Sequence, residues 1–162
     1  MTRKLRLEFP GASYHVINRG NYRQNVFEAK GAAEAFERTL RETCGRFGWL
    51  IHAYVIMRNH FHLAVETQQP NLSEGMKFLQ GTWANRFNRY RGLVGRPFQG
   101  RYKALYVEPG AALAQVANYI PTLTRCGRRS QRWKLSTRFA GAVSGGFRSV
   151  RSDRPGCAPK PF

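Results

Sequence analysis

The sequence predicts an α+β fold, a ferredoxin-like split βαβ with an antiparallel sheet, and three observations carry that prediction. Residues 13–108 read in the order β-α-β-β-α-β. Two neighbouring segments, Trp49–Met57 and His60–Glu66, alternate in polarity on either side of a tight Arg58-Asn59 break, as adjacent antiparallel strands do. Two further segments place apolar residues three and four apart, the period of a helix lying on a sheet.

The elements follow in order. Tyr14–Asn18 is short and rich in strand formers, and Arg19-Gly20-Asn21 is turn chemistry. A helix follows on Ala33, Phe36, Leu40, Cys44 and Phe47, closed by Gly48. In the next strand Ile51, Ala53, Val55 and Met57 fall on one face. In the strand after it Phe61, Leu63 and Val65 face one way, and His60, His62, Ala64 and Glu66 the other. After a loop through Pro70, Asn71 or Ser73 is placed to cap a second helix. Its stripe, Leu72, Met76, Leu79, Trp83, Phe87 and Tyr90, runs about five turns beside the basic Lys77, Arg86, Arg89 and Arg91, and Gly92 ends it. A loop through Pro97 and Gly100 leads to a strand over Tyr102–Glu108 and a helix over Ala111–Ile120. Residues 1–120 therefore form one domain, and residues 121–162, without sustained periodicity, read as a basic, disordered tail.

With 27 Lys+Arg against 9 Asp+Glu in 162 residues, the chain carries a formal charge of +18. A solvated surface usually mixes both signs, so an excess this large points to a polyanion, whose counterions each Lys or Arg contact releases. Residues 1–120 hold 17 basic and 8 acidic residues, and residues 121–162 hold 10 and 1. No stretch approaches the ~20 apolar residues of a membrane span. The N-terminus has no signal-peptide pattern, so a cytoplasmic, nucleoid-associated protein is expected. Cys44, Cys126 and Cys157 fit neither a disulfide framework nor a zinc knuckle.

His60 and His62, at i and i+2 of a strand, project from the same face, where two imidazoles can grip one divalent ion. An isolated His-x-His pair also arises by chance on a solvent-facing strand. Glu66 lies on the same face, roughly 13 Å further along, too far for the same ion.

Several segments together resemble the REP-associated tyrosine transposases, bacterial single-tyrosine transposases of the His-hydrophobe-His (HUH) endonuclease type. They are Leu5–Ala12 with Tyr14-His15-Val16, Arg19-Gly20-Asn21, Met57-Arg58-Asn59-His60-Phe61-His62-Leu63, Arg86-Phe87-Asn88-Arg89 and Phe98–Lys103. The resemblance implies a nuclease for single-stranded DNA acting at hairpin-forming repeats. It implies that His60 and His62 hold Mg²⁺ or Mn²⁺ with a polar group from the tyrosine-bearing helix, for which Asn88 is the match. A tyrosine then attacks the phosphorus to give a covalent 5′-phosphotyrosine and a free 3′-hydroxyl. Arg19, Lys77, Arg86, Arg89, Arg91, Arg101 and Lys103 are the expected DNA contacts, and the protein is expected to act as a monomer or homodimer.

The chain departs from the family pattern twice. The nucleophile is expected at or near position 83, which is Trp83, so Tyr90, seven residues onward on the same face, becomes the candidate catalytic residue; Tyr102 is structural or a base-stacking platform. After Ile120 the family continues His-Leu-Asn-Pro-Val-Arg-Ala, whereas this chain reads Pro121-Thr122-Leu123-Thr124-Arg125. GC-rich codons for Thr122–Arg128, read one nucleotide out of phase, can spell Pro-Asp-Pro-Val-Arg-Ala, so a frameshift is the leading account of the tail. Three functions stay open at this point: a DNA nickase and strand transferase, an inactive hairpin-binding module derived from one, and a basic RNA-binding protein.

Overall fold

A computed structural model of the chain describes residues 7–122 and 132–135. Strand β1 (Ala12–Arg19) is followed by a one-turn 3₁₀ segment (Asn21–Arg23) and α1 (Ala32–Phe47). Strands β2 (Trp49–Ile56) and β3 (His60–Thr67) form a hairpin, and α2 (Leu72–Arg91), β4 (Lys103–Val107), α3 (Ala111–Thr122) and β5 (Arg132–Leu135) complete the order. The sheet runs β4-β1-β3-β2-β5 with every pair antiparallel. Strands β1–β4 thus form the expected split βαβ sheet with β1 and β3 at its centre. Strand β5 falls where the sequence predicts no element; the rest of the expected loose tail lies outside the described residues.

One face of the sheet carries the main core. Tyr14 and Val16 of β1 and Phe61, Leu63 and Val65 of β3 meet Phe36, Leu40 and Cys44 of α1 and Leu72, Met76, Leu79 and Trp83 of α2. Each large apolar side chain buried here contributes about 1.5–3 kcal/mol. The six-residue stripe read from α2 is buried down to Trp83, with Phe87 partly covered and Tyr90 exposed. Gly48 and Gly92 end α1 and α2 in left-handed conformations, each N–H bonding the carbonyl four residues back.

Two local expectations change. Asn71 stands at the α2 N-cap but does not cap it with its side chain; it accepts from Trp49 Nε1 (2.9 Å) and donates to the Phe47 carbonyl (2.9 Å), tying the helix start to β2. Ser73 bonds Glu8 instead of capping. The β2 alternation is also broken, because the register slips between Ile51 and Ala53, making His52 the extra residue of a bulge. Ile51 therefore joins the main core, while Ala53 and Val55 turn to the opposite face and pack with Ala64 and Ile120.

Candidate functional site

The face away from α1 and α2 is where the histidines collect. In the β1–β3 register Ile17 stands opposite His62 and Arg19 opposite His60. Opposed residues project to the same side, so His15, Ile17 and Arg19 share a surface with His60 and His62. Strand β2 adds Val55 opposite His62, and β4 adds Lys103 opposite Ile17 and Leu105 opposite His15. Helix α3 covers the β2–β3 side of this surface through Leu113, Val116, Ala117 and Ile120. Toward β4 it stays open, with Leu105 60% exposed.

The histidines contact one another. The His15 and His62 rings stack with centroids 5.2 Å apart, and His60 meets His62 edge-on at 5.2 Å. His60 Nδ1 lies 2.7 Å from Asn59 Oδ1. Asn59 Nδ2 donates to the Arg23 carbonyl (3.3 Å), which turns its oxygen toward the ring. An amide oxygen only accepts, so His60 Nδ1 carries the proton and its Nε2 presents a lone pair. His62 Nδ1 lies 3.0 Å from His15 Nε2. With the His62 Nδ1–H donating, that pair leaves the same lone pair on His62 Nε2.

Burial, reinforced by the charges of His15 and His60, pushes His62 down to about 3 from its ordinary 6.5. Burial and then Arg19 lower His60, and burial lowers His15. Neutral imidazoles with Nδ1 committed and Nε2 open are what a divalent metal needs from histidine, so the donor set fits such an ion. Among the described residues no group of three or more His, Cys, Asp or Glu side chains could hold one. The ion's remaining positions would fall to water and phosphate oxygens, which both Mg²⁺ and Mn²⁺ accept. Glu66 is engaged by His52 at 3.0 Å.

The model of the family described as IS200-like transposases matches residues 9–122. The chain belongs to that family. Among solved structures this IS200-like transposase resembles a REP-associated tyrosine transposase bound to a REP hairpin, at 14% identity over 78% of this chain and 75% of that one, with a TM-score of 0.62. It also resembles a candidate transposase from Deinococcus radiodurans R1, at 24% identity over 75% of this chain and 97% of that one, with a TM-score of 0.51. No curated protein matches it. The family match ends at residue 122, next to the point where the sequence leaves the family pattern. Among the described residues no helix is long and apolar enough to cross a membrane.

For this transposase the structure separates residues that the sequence grouped. Helix α2, with Trp83, Asn88 and Tyr90, packs on the Phe61, Leu63 and Val65 face of the sheet, opposite His60 and His62, so the structure does not bring Asn88 and Tyr90 together with the histidines. The cause is the apolar stripe: Trp83 is fully buried, donates Nε1–H to the Ala32 carbonyl (3.1 Å) and stacks on Phe87. Asn88 Nδ2 donates to the Gly95 carbonyl (2.8 Å), and Tyr90 is 71% exposed. Arg86 makes a bidentate pair with Glu42 (3.0 and 2.9 Å) and bonds Thr39, bracing α2 on α1. Lys77, Arg89 and Arg91 are exposed on α2, away from the histidines, and Arg101 is exposed in the loop before β4. Tyr102 is buried, so its structural reading holds over a stacking platform. Of the expected DNA contacts, Arg19 and Lys103 share the histidine face.

Two further residues, one on that face and one on the helix packed against it, are not picked out as site residues by the sequence. His15 was visible as part of Tyr14-His15-Val16, but only strand pairing puts it against His62. Tyr119 sits in the last turn of α3, the helix packed on the histidine face, next to the buried Ile120 in the chain and 53% exposed. The signal that could have found it is the Leu113, Val116, Ala117, Ile120 stripe, which marks α3 as a second packed layer.

Proposed function

We propose that this IS200-like transposase nicks and rejoins single-stranded DNA at hairpin-forming repeats, with His60 and His62 holding Mg²⁺ or Mn²⁺ and Tyr119 as the nucleophile. The observation that carries the reading is the pair of neutral, oriented imidazoles on an open sheet face flanked by a tyrosine-bearing helix. A bound divalent ion would supply Lewis acidity and a template for a backbone phosphate. His60 and His62 bind through Nε2, and Asn59 and His15 hold the Nδ1 side of each ring. Arg19 and Lys103 offer charge to the flanking phosphates. The Tyr119 phenol oxygen forms a bond to phosphorus as the bond to the 3′-oxygen breaks. The phenol proton is lost and the leaving oxygen gains one, giving a 5′-phosphotyrosine and a 3′-hydroxyl. A phenol with pKa near 10 is a weak nucleophile, but the ester keeps the bond energy for rejoining. The +18 charge suits a nucleic-acid partner and a nucleoid-associated role in a bacterial cytoplasm.

Purified protein incubated with a labelled hairpin DNA and Mn²⁺, run on a denaturing gel, tests the proposal. A covalent adduct is expected, absent from Tyr119→Phe and His60→Ala and retained by Tyr90→Phe. An adduct that survives Tyr119→Phe but not Tyr90→Phe returns the nucleophile to α2. No adduct from wild-type protein that binds the hairpin tightly makes the chain an inactive binding module.

A further inference from the structure

Between β1 and α1 the chain makes an unusual turn. Tyr22 (φ 49°, ψ 28°) and Arg23 (φ 59°) are consecutive non-glycine residues in the left-handed region. An L-residue there costs roughly 1–2 kcal/mol, and turn closure alone would favour Gly or Asn. The strain is held from every side. The Gly20 N–H donates to the Asn59 carbonyl (2.6 Å), Asn21 to Pro97 (2.8 Å), Arg23 to Gly20 (3.1 Å) and Gln24 to Asn21 (2.9 Å). A Cβ at Gly20 would collide with the Gln24 carbonyl, so the turn closes this tightly only on glycine. The consequence is a Tyr22 ring left 85% exposed on a pinned support.

Its surroundings give that ring a use. Asn59 is shared: its Nδ2 holds the Arg23 carbonyl and its Oδ1 orients His60. The platform and the histidine site are thus joined through one side chain. Arg19, opposite His60 in the β1–β3 register, and Arg23, next to Tyr22 in the chain, are exposed and add positive charge to this turn. A solvent-facing aromatic on a pinned backbone, with arginines close in the chain, matches the way single strands are held, with phosphates on the cations and a base on the ring. Observed strain at such a place is a reason to look for function.

We propose that Tyr22 is a stacking platform for an unpaired base of single-stranded DNA, placing the nucleotide next to the phosphate at His60 and His62. The inference rests on the DNA-nicking reading above and adds where the strand lies.

The test measures binding of the full chain to two probes, a DNA hairpin with a thymidine 5′ tail and the same hairpin with an abasic tail. Tyr22→Ala is expected to weaken tailed-hairpin binding about 5- to 100-fold, the range of one base–aromatic stack, and to leave the abasic probe unchanged. Tyr22→Phe keeps wild-type affinity. Tyr22→Gly loses the same affinity while raising the melting temperature, because it relieves the backbone, a combination that general damage to the fold does not produce. If wild type prefers the thymidine tail and Tyr22→Ala matches it, the platform is overturned and the DNA reading stands. If wild type binds both tails equally, the platform is overturned as well; absence of hairpin binding altogether removes the DNA reading with it.

Discussion

The Nε2 of His15 lies 3.0 Å from the Nδ1 of His62. A ligating histidine generally needs its second nitrogen fixed, and loss of such a partner typically costs 10- to 100-fold in metal affinity. His15→Phe, which keeps the stacked ring shape but cannot accept a hydrogen bond, is expected to weaken Mn²⁺ uptake by about that factor. His15→Gln, whose amide oxygen can accept from Nδ1, is expected to recover most of it. Titration calorimetry with Mn²⁺, alongside a melting curve for each variant, checks this. Equal losses of affinity and stability in both variants would make His15 a packing residue only.

The same burial makes stability sensitive to acid. The folded state holds His62 at about 3 against 6.5 in a model peptide, and His15 and His60 are lowered too. Below 6.5 the unfolded chain takes up protons at these positions that the folded chain refuses, so the unfolded state gains. Stability contributed by the neutral histidines is complete above about pH 6.5 and declines from there toward pH 3. Urea melts across that window should show the decline, and His62→Gln should flatten it.

The polarity of β3 is legible in the sequence because the strand is regular: Phe61, Leu63 and Val65 are buried, and His60 and His62 emerge on the other side. The neighbouring β2 misleads because a bulge at His52 shifts the alternation by one residue, and sequence alternation cannot register a residue that drops out of the ladder. Which helix meets the histidines was also out of reach. Both α2 and α3 carry a stripe and a tyrosine, and only the topology assigns them to opposite faces. The α2 tyrosine lies nearer to the family motif in the chain, while Trp83, at the position where the resemblance expects the nucleophile, is a core residue. Beyond residue 122 the frameshift proposal turns on the gene: a family-like Pro-Val-Arg-Ala peptide is expected one nucleotide out of phase, and its absence from both alternative frames removes the idea.

Restoring a tyrosine at position 83 is therefore expected to give no gain of cleavage. The indole of Trp83 lies 4.9 Å from the Phe27 ring and 5.0 Å from that of Phe98, centroid to centroid, and its N–H is paired. Trp83→Tyr leaves unfilled volume and loses the bond to the Ala32 carbonyl, a combined cost of about 2–3 kcal/mol. Denaturant unfolding measures that cost. A Trp83→Tyr, Tyr119→Phe double variant should yield no covalent DNA adduct; an adduct there would restore α2 as the catalytic helix.

Two glycines of α2 give opposite expectations for the same substitution. In an open helical position Gly→Ala stabilises by about 0.8–1 kcal/mol, because alanine has less backbone entropy to lose. Gly81 is such a position, with nothing within 4 Å of where its Cβ would stand. Gly75 faces the Trp49 ring, and a Cβ there would come within 2.7 Å of Cε2 and closer still to Cζ2. Trp49 cannot withdraw, being 1% exposed and held through Nε1 by Asn71. Overpacking of about 1–3 kcal/mol then outweighs the propensity gain. Gly81→Ala should raise the denaturation midpoint and Gly75→Ala should lower it. If Gly75→Ala stabilises as much as Gly81→Ala, the close seating of α2 on the first residue of β2 is wrong.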